Sequence, residues 1–304
     1  MQRLEVDRKI VIWGYPDHTH THSYIHYGFY KAFKFLGYDV VWVDDSEENS
    51  DIDLDNAIVI GEKNAVSKLQ IKDTATYFIH NYREDFEETE YDNVHNYLVY
   101  HENYSWNNVK KVDDYFWYCE RTKTPVIMWA TDLLPDEIDD VSPCLYDDTK
   151  DEVLFVGTIQ GNNLIDFAHV CANNGKTFVN LGGYTGFDDE ERGIPFYDYD
   201  RSIDAVRNSY ISFDIREKNH LENGYVPCRI FKNISYGKWT GSNSTKLDKF
   251  FGDRITINGN LEKLYKSIVE DYKKSDENIL RDNMNYIKNN HTYVNRINSL
   301  LSVL

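Results

Sequence analysis

Two short apolar runs, KIVIW at 9–13 and DVVWV at 39–43, bracket one amphipathic stretch near the start of the chain. Runs this short, rich in β-branched residues and apolar at nearly every position, read as strands buried on both faces. Between them Ile25, Phe29, Ala32, Phe33 and Leu36 recur at helical spacing, so 24–36 reads as a helix with one apolar stripe, and Gly37 ends it as a left-handed cap. Strand, helix and strand in this order form a βαβ unit, which imposes a parallel sheet covered by helices. That constraint excludes all-α and all-β architectures for the first half of the chain.

The pattern continues with strand-like runs at 57–60, 76–80, 97–100, 115–119 and 126–130, separated by polar, acidic stretches. An acidic segment with a proline and no periodicity, DEIDDVSPCLYDDTKDE, then reads as a linker near residue 148. Beyond it the pattern restarts: EVLFVGT at 152–158, a helix ending at Gly175, the strand KTFVNLGG, a short helix from Asp200, the strand YISFDI at 210–215 and a loop to 225. The helix at 227–237 has Pro227 in its first turn and Gly237 past its end. The chain closes with amphipathic helices, the last carrying Val294, Ile297, Leu301 and Leu304. The expected fold is α/β: two Rossmann-like domains facing across a cleft, 1–148 and 149–280, with a helical tail at 281–304 crossing back to the first.

A length of 304 residues fits about two domains. With 41% hydrophobic and 15% aromatic residues the composition is that of a folded chain. The formal charge of −18 repels phosphate backbones and anionic lipid, so neither nucleic acid nor a membrane surface is an expected partner. No run approaches the ~18 apolar residues of a membrane span, and charges at the start interrupt any signal-peptide pattern, so a soluble, cytoplasmic protein is expected. Cys119, Cys144, Cys171 and Cys228 form no C-x-x-C and are expected to be reduced.

Three groups of residues could carry chemistry. The loop after the first strand holds Asp17, His18, His20, His22 and His26, in the place where open α/β sheets bind ligands. One of these histidines could serve as a general base or bind an acceptor. His18, His20 and His22 could instead ligate a metal, which would make the chain a metal-dependent hydrolase. Glu222, Asn223, Gly224 and Tyr225 lead into a helix bearing Arg229, Ile230, Lys232 and Asn233. Arg229 and Lys232 share a face near a helix N-terminus, an arrangement suited to a diphosphate. Gly157 and Thr158, followed by Gly161, and the pair Gly182 and Gly183 form glycine turns at strand ends in the same half. P-loop, G-x-S-x-G, H-E-x-x-H and EF-hand patterns are absent.

The layout, the run VLFVGT and the segment ENGYVPCRIFKNISYG at 222–237 resemble GT-B-fold glycosyltransferases, whose G-x-x-x-x-R-x-F-E-x-x-x-x-G segment holds a sugar nucleotide. The opening at 10–45 is similar to glycosyltransferase-like proteins of large DNA viruses and bacteria. The resemblance implies a metal-independent transferase with no cofactor, taking a nucleotide-diphosphate sugar in its second domain and a glycan or small-molecule acceptor in its first. Arg229 would then hold the diphosphate, Glu222 and the Gly224 loop would sit near the sugar, and His20 or its neighbours would face the acceptor. Lys232 stands where many relatives carry a ribose-binding Glu, which gives GDP-linked donors a small lead over UDP-linked ones. A non-catalytic nucleotide-sugar-binding protein is the further alternative.

Overall fold

In the computed structural model, which describes residues 8–14, 21–45, 51–157, 161–181 and 199–303, the opening unit is β1 (Ile10–Gly14), α1 (Thr21–Phe35) and β2 (Val40–Asp44). β1 and β2 pair in parallel, Ile10 beside Val40 and Trp13 beside Val43. β3 (Ile58–Glu62), β4 (Thr76–His80), β5 (Val94–Val99), β6 (Val109–Asp113), β7 (Phe116–Cys119) and β8 (Thr124–Ile127) complete an eight-stranded sheet of order β2-β1-β3-β4-β5-β8-β7-β6. The sheet is parallel from β2 to β8, and β7 and β6 close it antiparallel. The sequence pattern finds every strand of this sheet except β6. Its run VKKVD is almost wholly exposed at the sheet edge, so no apolar alternation marks it.

The chain divides into two compact units, Met1–Leu134 with Asn290–Leu304, and Pro135–Asn289. The division precedes the acidic stretch near 148, because that stretch already packs in the second unit. The Tyr146 ring lies against Tyr210 and Tyr272, and Cys144 N donates to Gly237 O at 2.8 Å. Likewise the return to the first unit begins at 290, not 281. Leu280, Met284 and Ile287 of α9 (Glu277–Asn290) are buried in the second unit, where Tyr286 Oη donates to Phe250 O at 2.7 Å.

The second unit repeats the doubly wound theme. β9 (Glu152–Phe155) pairs in parallel with β10 (Thr177–Asn180), and β11 (Ser212–Asp214), β12 (Thr240–Ser242) and β13 (Thr256–Ile257) form a parallel set of three. Tyr210 N donates to Glu152 O at 2.7 Å, and Leu154 N donates to Ser209 Oγ at 2.9 Å, joining the two sets side by side. These two bonds set β9 beside the residues that lead into β11, so the strand order reverses where the two-stranded and three-stranded sets meet, and the first unit has its own switch point between β1 and β3. The described helices of this unit are α2 (Pro135–Asp140), α3 (Asn162–Asn173), α4 (Tyr199–Asn208), α5 (Lys218–Asn223), α6 (Cys228–Ser235), α7 (Asp248–Phe251), α8 (Leu261–Lys274) and α9. α5 falls where the sequence reads as a loop. β12 is missed because its residues, Thr240, Gly241 and Ser242, are small and polar although fully buried. The α/β class with two Rossmann-like halves is the fold observed.

α10 (Tyr293–Leu301) belongs to the first unit and packs on α1, the Tyr293 ring 4.7 Å from that of Phe29. Val294, Ile297 and Leu301 are buried, and Leu304 lies outside the described residues. Its deepest anchor is polar. The Arg296 guanidinium, 3% exposed, donates to Met128 O at 2.7 Å, Trp129 O at 3.1 Å and Asn290 O at 2.8 Å, and lies 2.9 Å from His291 Nδ1. A guanidinium only donates, so His291 Nδ1 accepts and its ring is neutral there.

Arg296→Met leaves three backbone carbonyls short of a donor, and at 1–3 kcal/mol for each buried unsatisfied group the loss for the first unit is about 3 kcal/mol or more. Urea unfolding followed by fluorescence of the first unit's tryptophans measures it, and an unchanged midpoint would contradict this role. The same unit is sensitive to acid. Burial lowers His80 and His95 from 6.5 to about 4, and burial and Arg296 lower His291 further. The unfolded chain therefore binds protons first as pH falls below 6.5, and stability drops between pH 6.5 and 4, by up to about 3 kcal/mol for His80 alone. Melting temperatures at pH 7 and pH 5 check this: the value falls on acidification, and His80→Asn flattens the fall.

Candidate functional site

The carboxyl ends of β9 and β11 meet at the switch point of the second unit, and a buried carboxylate organises them. Asp214, the last residue of β11, is 0% exposed. Its Oδ1 accepts from Arg229 at 3.2 Å and pairs with an Arg216 nitrogen at 2.7 Å, while its Oδ2 accepts from Arg216 Nε at 2.9 Å. Two cations against one anion leave a net local charge of +1. Burial and the neighbouring Arg216 lower Arg229, whereas for Arg216 the opposing pull of Asp214, with Tyr225 and Cys228, outweighs burial. Both arginines stay charged at neutral pH, because their ordinary value of 12.5 is so far above it.

Arg229 reaches this position from the first turn of α6. It donates to Val156 O at 3.1 Å and lies 4.5 Å from the centroid of the Phe155 ring, at the end of β9. Gly157 follows with φ +146°, and a Cβ there would stand 2.5 Å from the Arg229 terminal nitrogen. Glycine is needed both for the backbone and for the room the guanidinium takes. No side chain caps α6 at Pro227, so its first-turn N–H groups gain nothing from an N-cap side chain beside the two arginines. Asn243, after β12, fixes the backbone of Arg216 from both sides: its Oδ1 accepts from Arg216 N and its Nδ2 donates to Arg216 O, each at 2.8 Å.

The other expected residues divide by position. Tyr225 is half-buried, its ring 5.5 Å from the Arg216 guanidinium. Gly224 is the left-handed cap of α5 at φ +61°. Glu222 is exposed and pairs with Lys218 at 3.7 Å, and Asn223 donates to Asn219 Oδ1 at 3.0 Å. Lys232 is half-buried one turn along α6. Ile230 is fully buried in the core. The Asn233 side chain is occupied in bridging β11 and β12, donating to Phe213 O at 3.3 Å and Thr240 Oγ1 at 3.0 Å. Thr158, Gly182 and Gly183 lie outside the described residues.

Sequence reasoning missed Asp214, Arg216, Glu217 and Asn243. Glu217 Oε1 accepts from Asn163 N at 2.9 Å, so the N-terminus of α3 already faces a carboxylate. The available signal was the tripeptide DIR at 214–216, where an apolar strand ends in an acid and a base two residues apart.

In the first unit, Asp17, His18 and His20 lie outside the described residues, and His22 falls in the first turn of α1 with its side chain outside them too. His26, further along α1, is buried with its imidazole directly against Gly14, where a Cβ would collide with the ring. Among the described residues, no group of three or more His, Cys, Asp or Glu side chains comes together as a metal site.

Asp214→Ala strips a buried anion from two partly buried cations, and removal of one partner from such a pair costs about 3–5 kcal/mol. Chemical denaturation checks this. A loss below ~1 kcal/mol, the range of exposed pairs, would show that the arginines are held by other groups.

No family model matches the chain, and no curated protein sequence matches it. Among solved structures it is similar to the DNA-modifying enzyme β-glucosyltransferase, determined in the presence and absence of uridine diphosphoglucose. The TM-score is 0.52 at 11% sequence identity, over 96% of this chain and 99% of that one. Agreement along almost the whole of both chains at so low an identity is a likeness of fold, and the fold is GT-B.

Proposed function

We propose that the chain is a glycosyltransferase that moves a sugar from a nucleoside-diphosphate donor, held by the second unit, to a hydroxyl of an acceptor held by the first. The observation that carries this reading is the pair of arginines braced on Asp214 at the switch point. Negative charge grows on the leaving diphosphate as the bond to the sugar breaks. Two fixed guanidinium groups and the N–H groups of α6 are prearranged to stabilise that charge. The GT-B fold supports the same reading, since a solved neighbour is a glucosyltransferase studied with uridine diphosphoglucose.

Lys232 keeps the donor base open. A cation in place of the ribose-binding Glu of the resemblance favours GDP-linked sugars, whereas the fold neighbour was studied with a uridine nucleotide. The loop with Asp17, His18, His20 and His22 supplies the acceptor side, as proton acceptor or as acceptor-binding group. A glycan or small molecule is the proposed acceptor. DNA is the second reading, because the neighbour is a DNA-modifying enzyme, and the charge of −18 opposes it. The reading calls for no metal or cofactor. Among the described residues no helix is long and apolar enough to cross a membrane.

Thermal-shift titration with UDP, GDP, uridine and guanosine tests the donor site. One diphosphate stabilises the protein, and Arg229→Ala weakens that binding by about 1.5–3 kcal/mol, the range for a charge-assisted hydrogen bond, while nucleoside binding changes little. Equal losses for diphosphate and nucleoside would make Arg229 structural. A chain that binds a diphosphate but releases none from any sugar nucleotide, in EDTA or in Mg²⁺, would be a binding protein.

A further inference from the structure

The carboxyl edge of the first unit carries a second row of polar residues that neither the sequence nor the donor site accounts for. Glu62 ends β3, His80 ends β4, and Tyr97 stands near the end of β5. The strand register sets Glu62 beside His80 and His80 beside Tyr97. Laterally paired residues of parallel strands project from the same face, so the three side chains form one line across the sheet. Trp13 pairs with Gly61, so Gly14 is level with Glu62, and His26 from α1 lies over Gly14. The row therefore starts at the switch point between β1 and β3. On its other side the Trp129 ring meets His80 edge-on at 5.1 Å.

These positions are as deep as a core. Glu62 is 1% exposed, Tyr97 2% and His80 5%. Residues earlier on the same face, Ile58, Ile60 and Phe78, are apolar and buried, so apolar side chains would serve equally well for packing. Among the described residues no cation forms an ion pair with Glu62: its oxygens accept from the Asn64 backbone N and from Asn64 Nδ2, each at 3.0 Å. The Tyr97 hydroxyl is buried without a hydrogen-bond partner, and it lies near enough to Glu62 to feel its charge. His80 Nδ1 lies 3.1 Å from Tyr97 O. A carbonyl only accepts, so Nδ1 carries the proton and Nε2 the lone pair. A buried carboxyl in no ion pair and a buried hydroxyl in no hydrogen bond among the described residues, both at a ligand-binding edge, are groups kept for something other than the fold.

We propose that this row is the acceptor subsite and that Glu62 is the residue that takes the proton from the attacking acceptor hydroxyl. This rests on the glycosyltransferase reading and assigns the proton to Glu62 instead of to a histidine of the loop after β1. The acceptor oxygen forms its bond to the sugar C1 as its proton passes to a Glu62 carboxylate oxygen. The bond from C1 to the diphosphate oxygen breaks, and its electron pair leaves with the diphosphate. Burial raises the Glu62 carboxyl above its ordinary 4.5, with the Asn64 bonds and Lys63 opposing only in part. A base raised in this way is matched better to an alcohol proton. Tyr97 and His80 position the hydroxyl. The titratable groups around Glu62 are His26 from α1, His80 from β4, Tyr97 from β5 and Lys63 on its own turn.

The test follows release of nucleoside diphosphate by the full chain. Uridine diphosphoglucose and a guanosine-diphosphate hexose serve as donors, and free and aryl glycosides as acceptors. Glu62→Gln keeps the shape and the bond from the Asn64 backbone but takes up no proton. It is expected to lower kcat about 10²–10⁴-fold, to leave the thermal shift by UDP or GDP unchanged, and to abolish the acid limb of the pH–rate profile. Should Glu62→Gln fail to fold, the wild-type profile decides: an acid limb above pH 4.5 that Tyr97→Phe displaces supports the assignment, and a flat profile overturns it. A folded Glu62→Gln variant within threefold of wild type overturns it as well. Wild type that neither binds UDP or GDP nor releases diphosphate removes the glycosyltransferase reading itself, a result distinct from an active wild type with an equally active Glu62→Gln.

Discussion

Parallel strands all deliver their carboxyl ends to one edge, and where the strand order reverses, that edge opens into a crevice. Both units of this chain obey that constraint, the first with its switch point between β1 and β3 and the second where the β9 and β11 sets meet. Every residue given a chemical role in the described structure lies at or next to one of these edges. Asp214 ends β11, Gly157 follows β9, Glu62 ends β3 and His80 ends β4. The proposed roles concentrate there because the rest of each strand is committed to the sheet ladder and to packing under helices.

Within the second unit Asp214 turns that geometry into a charged site. A lone buried carboxylate is costly, and a lone arginine on a helix would sample many rotamers. Each corrects the other, and Arg216, held by Asn243, completes the cluster. The first unit solves a similar problem differently. Arg296 is buried with its charge spread over backbone carbonyls and a neutral histidine, and this fastens the C-terminal helix to the end of β8. Lys238 is another buried cation. It donates to Ser209 O near the end of α4, and burial lowers it to about 7.

Much of the fold was legible in the sequence because apolar periodicity records burial. β1, α1, β4, α8 and the α10 stripe are marked by the side chains they bury. The elements that escaped notice are those whose side chains carry no such record. β6 is an exposed edge strand, and β12 is buried through Thr240, Gly241 and Ser242, with Gly241 lying under Ile268 of α8. The domain division was misplaced for a related reason. The acidic stretch near 148 is polar on average, yet single aromatic residues within it, such as Tyr146, dock into the second unit.

The candidate site shows the same boundary. Arg229, Gly157, Gly224 and Tyr225 could be picked out in advance, since a cation at a helix start and glycines after strands have local signatures. Asp214 and Arg216 left only the local hint of an acid and a base two residues apart, whose meaning depends on Arg229, 15 residues from Asp214, and Glu62 and Tyr97 left none, because the register that lines them up with His80 joins separate strands. By itself the sequence determined the α/β class, the repeated strand and helix order and the helix bearing Arg229, all of which follow from short-range periodicity and turn chemistry. Only the tertiary structure decided which carboxylate braces the arginines, which polar residues line up across neighbouring strands and where the tail is fastened, because strand register and burial arise when distant segments pack together.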